Sequence, residues 1–188
     1  VAHEKRAAEI EIMERNRAIL RPPNSLDAWE AHHRGLWHVY RFTRDENQRA
    51  LHFFQEAVRL DPTFGRAYAG LSFAHFQNYF LNWADPAQEI ERAYATARQG
   101  VMADERDPAS NWSMGRALWM RGQIDGSLAA LRKTIDLSPN FAMAHYAMAF
   151  VHSLSGDPAQ AIPASDTSRV LSPFDPLLFG MLGSRAVA

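Results

Sequence analysis

The 188-residue chain contains no cysteine, so it can build neither a disulfide framework nor a thiolate site for a metal or a nucleophile. That is what a cytoplasmic protein would show. Neither charge is in surplus. Its 20 Lys and Arg against 21 Asp and Glu leave a formal net charge of −1, without the basic face that holds a nucleic acid backbone. No apolar run approaches the roughly 20 residues that span a bilayer. The charged opening "VAHEKRAAEIEIMERNRAIL" lacks the apolar stretch of a signal peptide. Phosphate-cradling and nucleophile motifs are missing as well: there is no GxxxxGK[ST], GxGxxG, GxSxG or HExxH. The expectation is therefore a protein without nucleic acid, membrane, cofactor or reaction of its own. Beginning at Val1 and stopping in the apolar "RAVA", the chain reads as a piece of something longer.

What is present is repetition. The phrase "RLDPTFGRAYAGLSF" returns as "DLSPNFAMAHYAMAF" and again as "VLSPFDPLLFGMLGS". Pro139 and Pro173 stand 34 residues apart, as do Gly122 and Gly156, and Gly115 and Gly183 are two such periods apart with Ala149 midway. One period before Pro139 falls on Glu105, where the proline is lost. Pro62 lies 43 residues before Glu105, so that unit carries an insertion of nine. A repeat of 20–50 residues indicates stacked supersecondary units.

The local signals are helical throughout. Asp85-Pro86, Asp107-Pro108, Asp157-Pro158 and Asp175-Pro176 each place a side-chain acceptor at an N-cap and a proline at the first helical position. Apolar residues recur at three and four, as in Leu51, Phe54, Ala57, Val58 and Leu128, Leu131, Ile135. These predict helices over 2–20, 25–41, 45–60, 64–80, 86–104, 108–121, 124–137, 141–154, 158–171 and 176–187. Prolines in "LDP" and "LSP" stop the second helix of one unit and set the turn into the next. Gly35, Ser72, Gly115, Ala149 and Gly183 are small where paired helices should cross.

At this point the chain resembles the tetratricopeptide repeat (TPR) family. The small residue, the alanines at Ala50, Ala93 and Ala161, the large apolar Phe54 and Leu131 and the closing proline match its pattern over about 165 residues. The resemblance implies an all-α, right-handed α-solenoid of helix-turn-helix repeats. Residues 1–22 would form a leading helix, a linker from an upstream domain, and 23–188 an array of four repeats plus the first helix of a fifth. The segment "RPPNSLDAWEAHHRGLWHVYRFT" resembles the opening of TPR regions in bacterial regulators, notably those C-terminal to class III adenylate or guanylate cyclases. Two alternatives stand beside a plain interaction scaffold: the regulatory or dimerisation region of a nucleotide cyclase, and the effector region of a transcription regulator.

The resemblance also implies where a partner would bind. In TPR arrays the first helix of each unit lines the concave surface. Projecting its inward face gives Trp29, His32, Leu36 and Tyr40, then Arg66, Phe73, Phe76 and Gln77. The third and fourth units add Trp112, Arg116, Trp119 and Met120, then Met143, Tyr146, Phe150 and Leu154. The lysines and asparagines of carboxylate-clamping TPR modules are nearly absent here. What remains is an apolar, aromatic groove with two arginines, suited to an apolar or amphipathic protein segment.

Eight histidines raise the question of a metal. His32 and His33 are neighbours and diverge by about 100° on a helix, which suits no shared metal. His38, His75 and His152 occupy one slot in three units, where the family carries tyrosine, so packing between paired helices explains them and no metal is expected. Glu9 and Glu11 diverge likewise, and Asp104 to Asp107 sit at helix ends. Three structural expectations complete the reading. The insertion "NYFLNWADP" lengthens the second unit and lays Tyr79, Phe80 and Trp83 over a neighbour. Pro163 kinks its helix or delays its start. The apolar last helix, with Leu178, Phe179, Met181 and Leu182, or the leading helix, pairs two chains as a homodimer.

Overall fold

The computed structural model describes residues 27–188, so the expected leading helix lies outside the described residues. Nine helices and no strand occur among the described residues: α1 (Ala28–Val39), α2 (Arg44–Leu60), α3 (Gly65–Phe80), α4 (Pro86–Ala103), α5 (Pro108–Met120), α6 (Ile124–Leu137), α7 (Ala142–Leu154), α8 (Pro158–Leu171) and α9 (Leu178–Val187). They pair as antiparallel hairpins α1–α2, α3–α4, α5–α6 and α7–α8, and α9 packs on both α7 and α8. The first helices α1, α3, α5, α7 and α9 also touch in succession, so they form one inner layer and the second helices an outer one. The insertion is absorbed by length: α3 and α4 have 16 and 18 residues, where α5 and α6 have 13 and 14.

The helices start where capping chemistry allows. Asp85, Asp107 and Asp157 accept hydrogen bonds from the backbone N–H of Gln88, Ser110 and Gln160, with proline at the following position. Asp27 and Glu30 form a reciprocal capping box on α1. Asp175 does otherwise. Its carboxylate accepts from the N–H of Leu177 at 2.8 Å, forming a turn, and α9 begins at Leu178 rather than at Pro176. Pro163 does not delay α8, which begins at Pro158 and continues through it without a break. The ring and Ala159, whose carbonyl loses its bond, both face water, so solvent replaces the missing donor.

Each hairpin turn contains one residue with positive φ: Phe42 (53°), Asn82 (54°), Gly122 (73°) and Gly156 (73°). Positive φ asks for glycine. Asparagine tolerates it, whereas phenylalanine is held there against a cost of about 1–2 kcal/mol.

Small residues let the paired helices approach. A Cβ on Gly115 would lie 2.7 Å from Leu131, and one on either Gly35 or Gly70 would lie 2.5 Å from Phe54. Phe54 is thus gripped by α1 and α3 together. A Cβ on Gly100, where the pattern expects alanine, would lie 3.2 Å from the carbonyl of Gly65, so the end of α4 packs closely against the start of α3. Ser72 instead donates its hydroxyl to the carbonyl of Ala93 across the α3–α4 crossing. Gly183 departs from the series: a Cβ there would meet nothing within 4 Å among the described residues.

The repeated histidines pack between paired helices and each meets a carboxylate. His38 Nδ1 is 2.7 Å from Glu46, His75 Nδ1 2.6 Å from Glu89 and His152 Nδ1 3.5 Å from Asp157. Glu89, 1% exposed, is also bound by Asn78 and Arg92. Burial opposes its ionisation, but the hydrogen bonds from His75, Asn78 and Arg92 outweigh that and hold its pKa below the usual carboxylate range.

Candidate functional site

The inner layer should present an open groove, but the array curls far enough for its two ends to meet. The Phe42 ring, in the turn after α1, stands edge-on to Phe179 of α9 with centroids 5.3 Å apart. Phe80, at the end of α3, reaches past the third unit to Phe150 of α7 at 5.8 Å. Units therefore do not contact only their immediate neighbours, as a simple linear array would. The first helices carry so many large rings on their inner face that closing over them removes more apolar surface from water than an open curve would.

The inward-facing residues fall into two groups. Near the start of α1, His32 is buried among Trp29, Phe54 and Phe64, with ring centroids 6.4, 5.6 and 5.2 Å away. Burial, reinforced by His33 and Arg66, lowers its pKa from 6.5 to about 3, so it is neutral. Arg66 reaches Asp107, the cap of α5, at 3.2 Å. These residues tie the first three units together.

The second group surrounds a cleft between α3, α5, α7 and α9, and of its members Phe73, Phe76, Gln77, Arg116, Tyr146 and Phe150 line it. Phe73, Phe76, Trp112 and Tyr146 are buried, as is Arg116. Leu36, Tyr40, Trp119, Met143 and Phe150 are half-buried and pack against the same core. Trp119 meets Phe150 edge-on at 4.8 Å, and Phe76 stacks on Phe80 at 5.4 Å. Gln77 donates to the carbonyl of Val39 at 3.0 Å. Met120 is buried in the core, while Leu154 is exposed and takes no part in the lining. The cleft encloses about 60 Å³. Phe42, Phe80, Leu81, Leu177 and Phe179 complete its wall.

The five wall residues just named were not among the inward positions expected from the repeat. Phe80 was expected to cover a neighbouring unit; it instead stays half exposed and reaches past the third unit to Phe150. Phe42 had a signal in the sequence: it stands seven residues after Gly35, as Gly122 does after Gly115 and Gly156 after Ala149. A phenylalanine in a glycine slot is a local conflict of the kind that marks a side chain placed on purpose. Of the insertion's other rings, Tyr79 lies 6.5 Å from Trp119 and Trp83 is half-buried.

The cation is the chemically distinctive group. The Arg116 guanidinium lies 3.7 Å from the centroid of Phe76, 5.4 Å from those of Phe73 and Trp112, and 5.9 Å from that of Tyr146. Its Nε and Nη1 have no hydrogen-bond partner. Burial pushes its pKa down to about 10, which still leaves it charged at neutral pH. Burial likewise raises the pKa of the Tyr146 phenol. Among the described residues no group of three or more metal-ligating side chains occurs, and no helix is long and apolar enough to cross a membrane.

An all-α solenoid of helical hairpins, with first helices inside and second helices outside, is the architecture of TPR proteins, and the solved structures similar to this chain are of that class. TTC0263, a thermophilic TPR protein of Thermus thermophilus, aligns with a TM-score of 0.71 at 16% identity, over 87% of this chain and 82% of that one. YrrB, whose structure is described as that of a TPR protein with an unusual peptide-binding site, gives 0.51 at 16% identity over 85% and 74%. MamA gives 0.50 at 16% identity over 85% of each chain. No family model and no curated protein sequence matches the chain.

Proposed function

We propose that the chain is a non-catalytic interaction scaffold that binds an apolar or amphipathic segment of a partner protein across the mouth of the aromatic cleft. The observation that carries this reading is the pair of rings at that mouth: Phe80 is 52% and Phe179 62% exposed, although both join an aromatic wall. Large rings left in water beside a concave apolar surface mark a site of association. The buried acids Asp107 and Glu89 have structural duties, Asp107 with Arg66 and the α5 cap, Glu89 with His75, Asn78 and Arg92. That supports binding rather than acid–base chemistry. YrrB, the peptide-binding neighbour in fold, is consistent with a peptide as the occupant.

The test is fluorescence anisotropy with labelled peptides that form amphipathic helices, each paired with a scramble of the same composition and no apolar face. Amphipathic peptides should bind the wild-type chain and their scrambles should not. The double variant Phe80→Ser, Phe179→Ser should weaken binding at least tenfold while far-UV circular dichroism stays unchanged. Equal binding by wild type and variant, or no discrimination between peptide and scramble, would remove the mouth of the cleft as the site.

A further inference from the structure

We propose that the floor of the cleft is a binding site for a small apolar monocarboxylate, with Arg116 as its counter-ion and the surrounding rings as the pocket for its hydrocarbon. The inference does not rest on a protein partner, only on the cleft itself.

Arg116 is 7% exposed and lines the cavity, yet no carboxylate of the described residues lies within ion-pair distance of it. Eight other arginines of the described residues meet an acid: Arg41 and Arg49 with Glu46, Arg59 with Glu56, Arg66 with Asp107, Arg92 with Glu89, Arg121 with Glu91, and Arg169 and Arg185 with Asp166. The partners of Arg116 are instead the phenols of Tyr146, which also hydrogen-bonds to it, and Tyr40. A guanidinium is retained in an apolar interior when it is paired or when a ligand completes it. The rings at 3.7 to 5.9 Å supply cation–π attraction, but a ring face offers no acceptor for the unpartnered Nε and Nη1. What would complete this group is an oxyanion.

The rest of the lining fixes the remainder of the ligand. Phe42, Phe73, Phe76, Phe80, Phe150 and Leu177 are hydrocarbon; of the other polar side chains in the lining, Gln77 donates its Nε2 to the carbonyl of Val39 and leaves its Oε1 without a partner, and Tyr146 carries its phenol beside Arg116. A phosphate or a dicarboxylate would bring more charge than one arginine can meet, so one carboxylate on an apolar body fits. The cavity of about 60 Å³ accepts roughly four to six water-sized groups. It therefore holds the carboxylate and the first carbons of the chain, the remainder leaving between Phe80 and Phe179. An aliphatic acid of about six carbons matches that length.

The test is a titration of the full chain with hexanoate, hexanamide and hexylammonium, followed by thermal unfolding and by the NMR shift of the Arg116 Nε–H. Hexanoate should raise the unfolding midpoint and move that resonance saturably, whereas the neutral amide and the cation should do neither. Arg116→Met should abolish the hexanoate effect, and Arg116→Lys should weaken it about tenfold while keeping the charge. Should Arg116→Met fail to fold, the wild-type Nε–H shift with the three ligands decides alone. Equal effects of hexanoate and hexanamide would overturn the proposal, as would a chloride titration that reproduces the hexanoate shift. A peptide with a free apolar C-terminus binding where hexanoate does not would also overturn it, assigning Arg116 to a protein partner. Loss of peptide binding in the Phe80→Ser, Phe179→Ser variant is read separately, so failure of the scaffold reading leaves this result intact.

Discussion

Gly35→Ala puts one methyl group where two helices grip a ring. A Cβ on Gly35 would stand 2.5, 2.6 and 2.9 Å from three atoms of the Phe54 ring, and a Cβ on Gly70 would meet the same edge at 2.5 Å. Phe54 is fully buried, so the ring has no free volume to move into. Overpacking of a core costs about 1–3 kcal/mol, and three contacts under 3.0 Å against a rigid ring place this case at the upper end. Replacing glycine in a helix interior returns about 1 kcal/mol. The net loss is about 2 kcal/mol, a fall in Tm of about 4–8 °C for a chain of this size. Urea unfolding followed by circular dichroism measures it, with Gly126→Ala as control. A Cβ there meets Leu118 at an ordinary 3.5 Å, and stability should rise by up to about 1 kcal/mol. Repeating Gly35→Ala on a Phe54→Leu background should remove most of the cost, because the smaller side chain vacates the contact. A Gly35→Ala variant as stable as wild type, or an equal loss on both backgrounds, would refute the wedge.

Acid should destabilise the fold. The His32 pKa drops from 6.5 to about 3 on folding, so the unfolded chain binds a proton that the folded chain refuses, and stability falls as pH is lowered from 6.5 towards 3. His32→Phe should flatten urea midpoints across that range, and an unchanged slope would argue against neutral burial. Pro163→Ala restores a backbone donor in mid-helix at an exposed position and should raise stability by about 1 kcal/mol or more in the same assay. The end of the array leaves Phe174 96% and Leu182 46% exposed. Sedimentation at rising concentration should show a dimer that Phe174→Glu with Leu182→Glu converts to monomer, and a wild-type monomer throughout would end that expectation.

Most of the architecture was legible because its determinants are local. Aspartate before proline marks a helix start, proline after "LD" or "LS" marks a stop, and together they placed most helix ends within a residue or two. The exceptions are instructive. Asp175-Pro176 carries the same letters, but its carboxylate turns to the N–H of Leu177, two residues on. Gly70 went unnoticed as a crossing residue because it lies off the 34-residue register that singled out Ser72. The positions expected to face inward fall into two groups, one around His32 and one around the cleft, and their exposure was not legible. How tightly an array curls depends on small rotations at every helix contact, summed over nine helices. No single position encodes that sum, although the phenylalanine at position 42 was a clue that something lay across from it.

The contact between Phe42 and Phe179 changes what kind of object this repeat array is. In a linear stack, stability is a sum of neighbour terms and the end units fray independently, like the ends of a zipper. Joining first unit to last makes the stack a ring with a clasp. Separating the α1–α2 turn from α9 then requires the clasp to part, and so does widening the cleft that the clasp borders. Admission of a ligand and the melting of the ends become the same excursion, so an occupant of the cleft would slow hydrogen exchange at residues of α1 and α9 that it never touches.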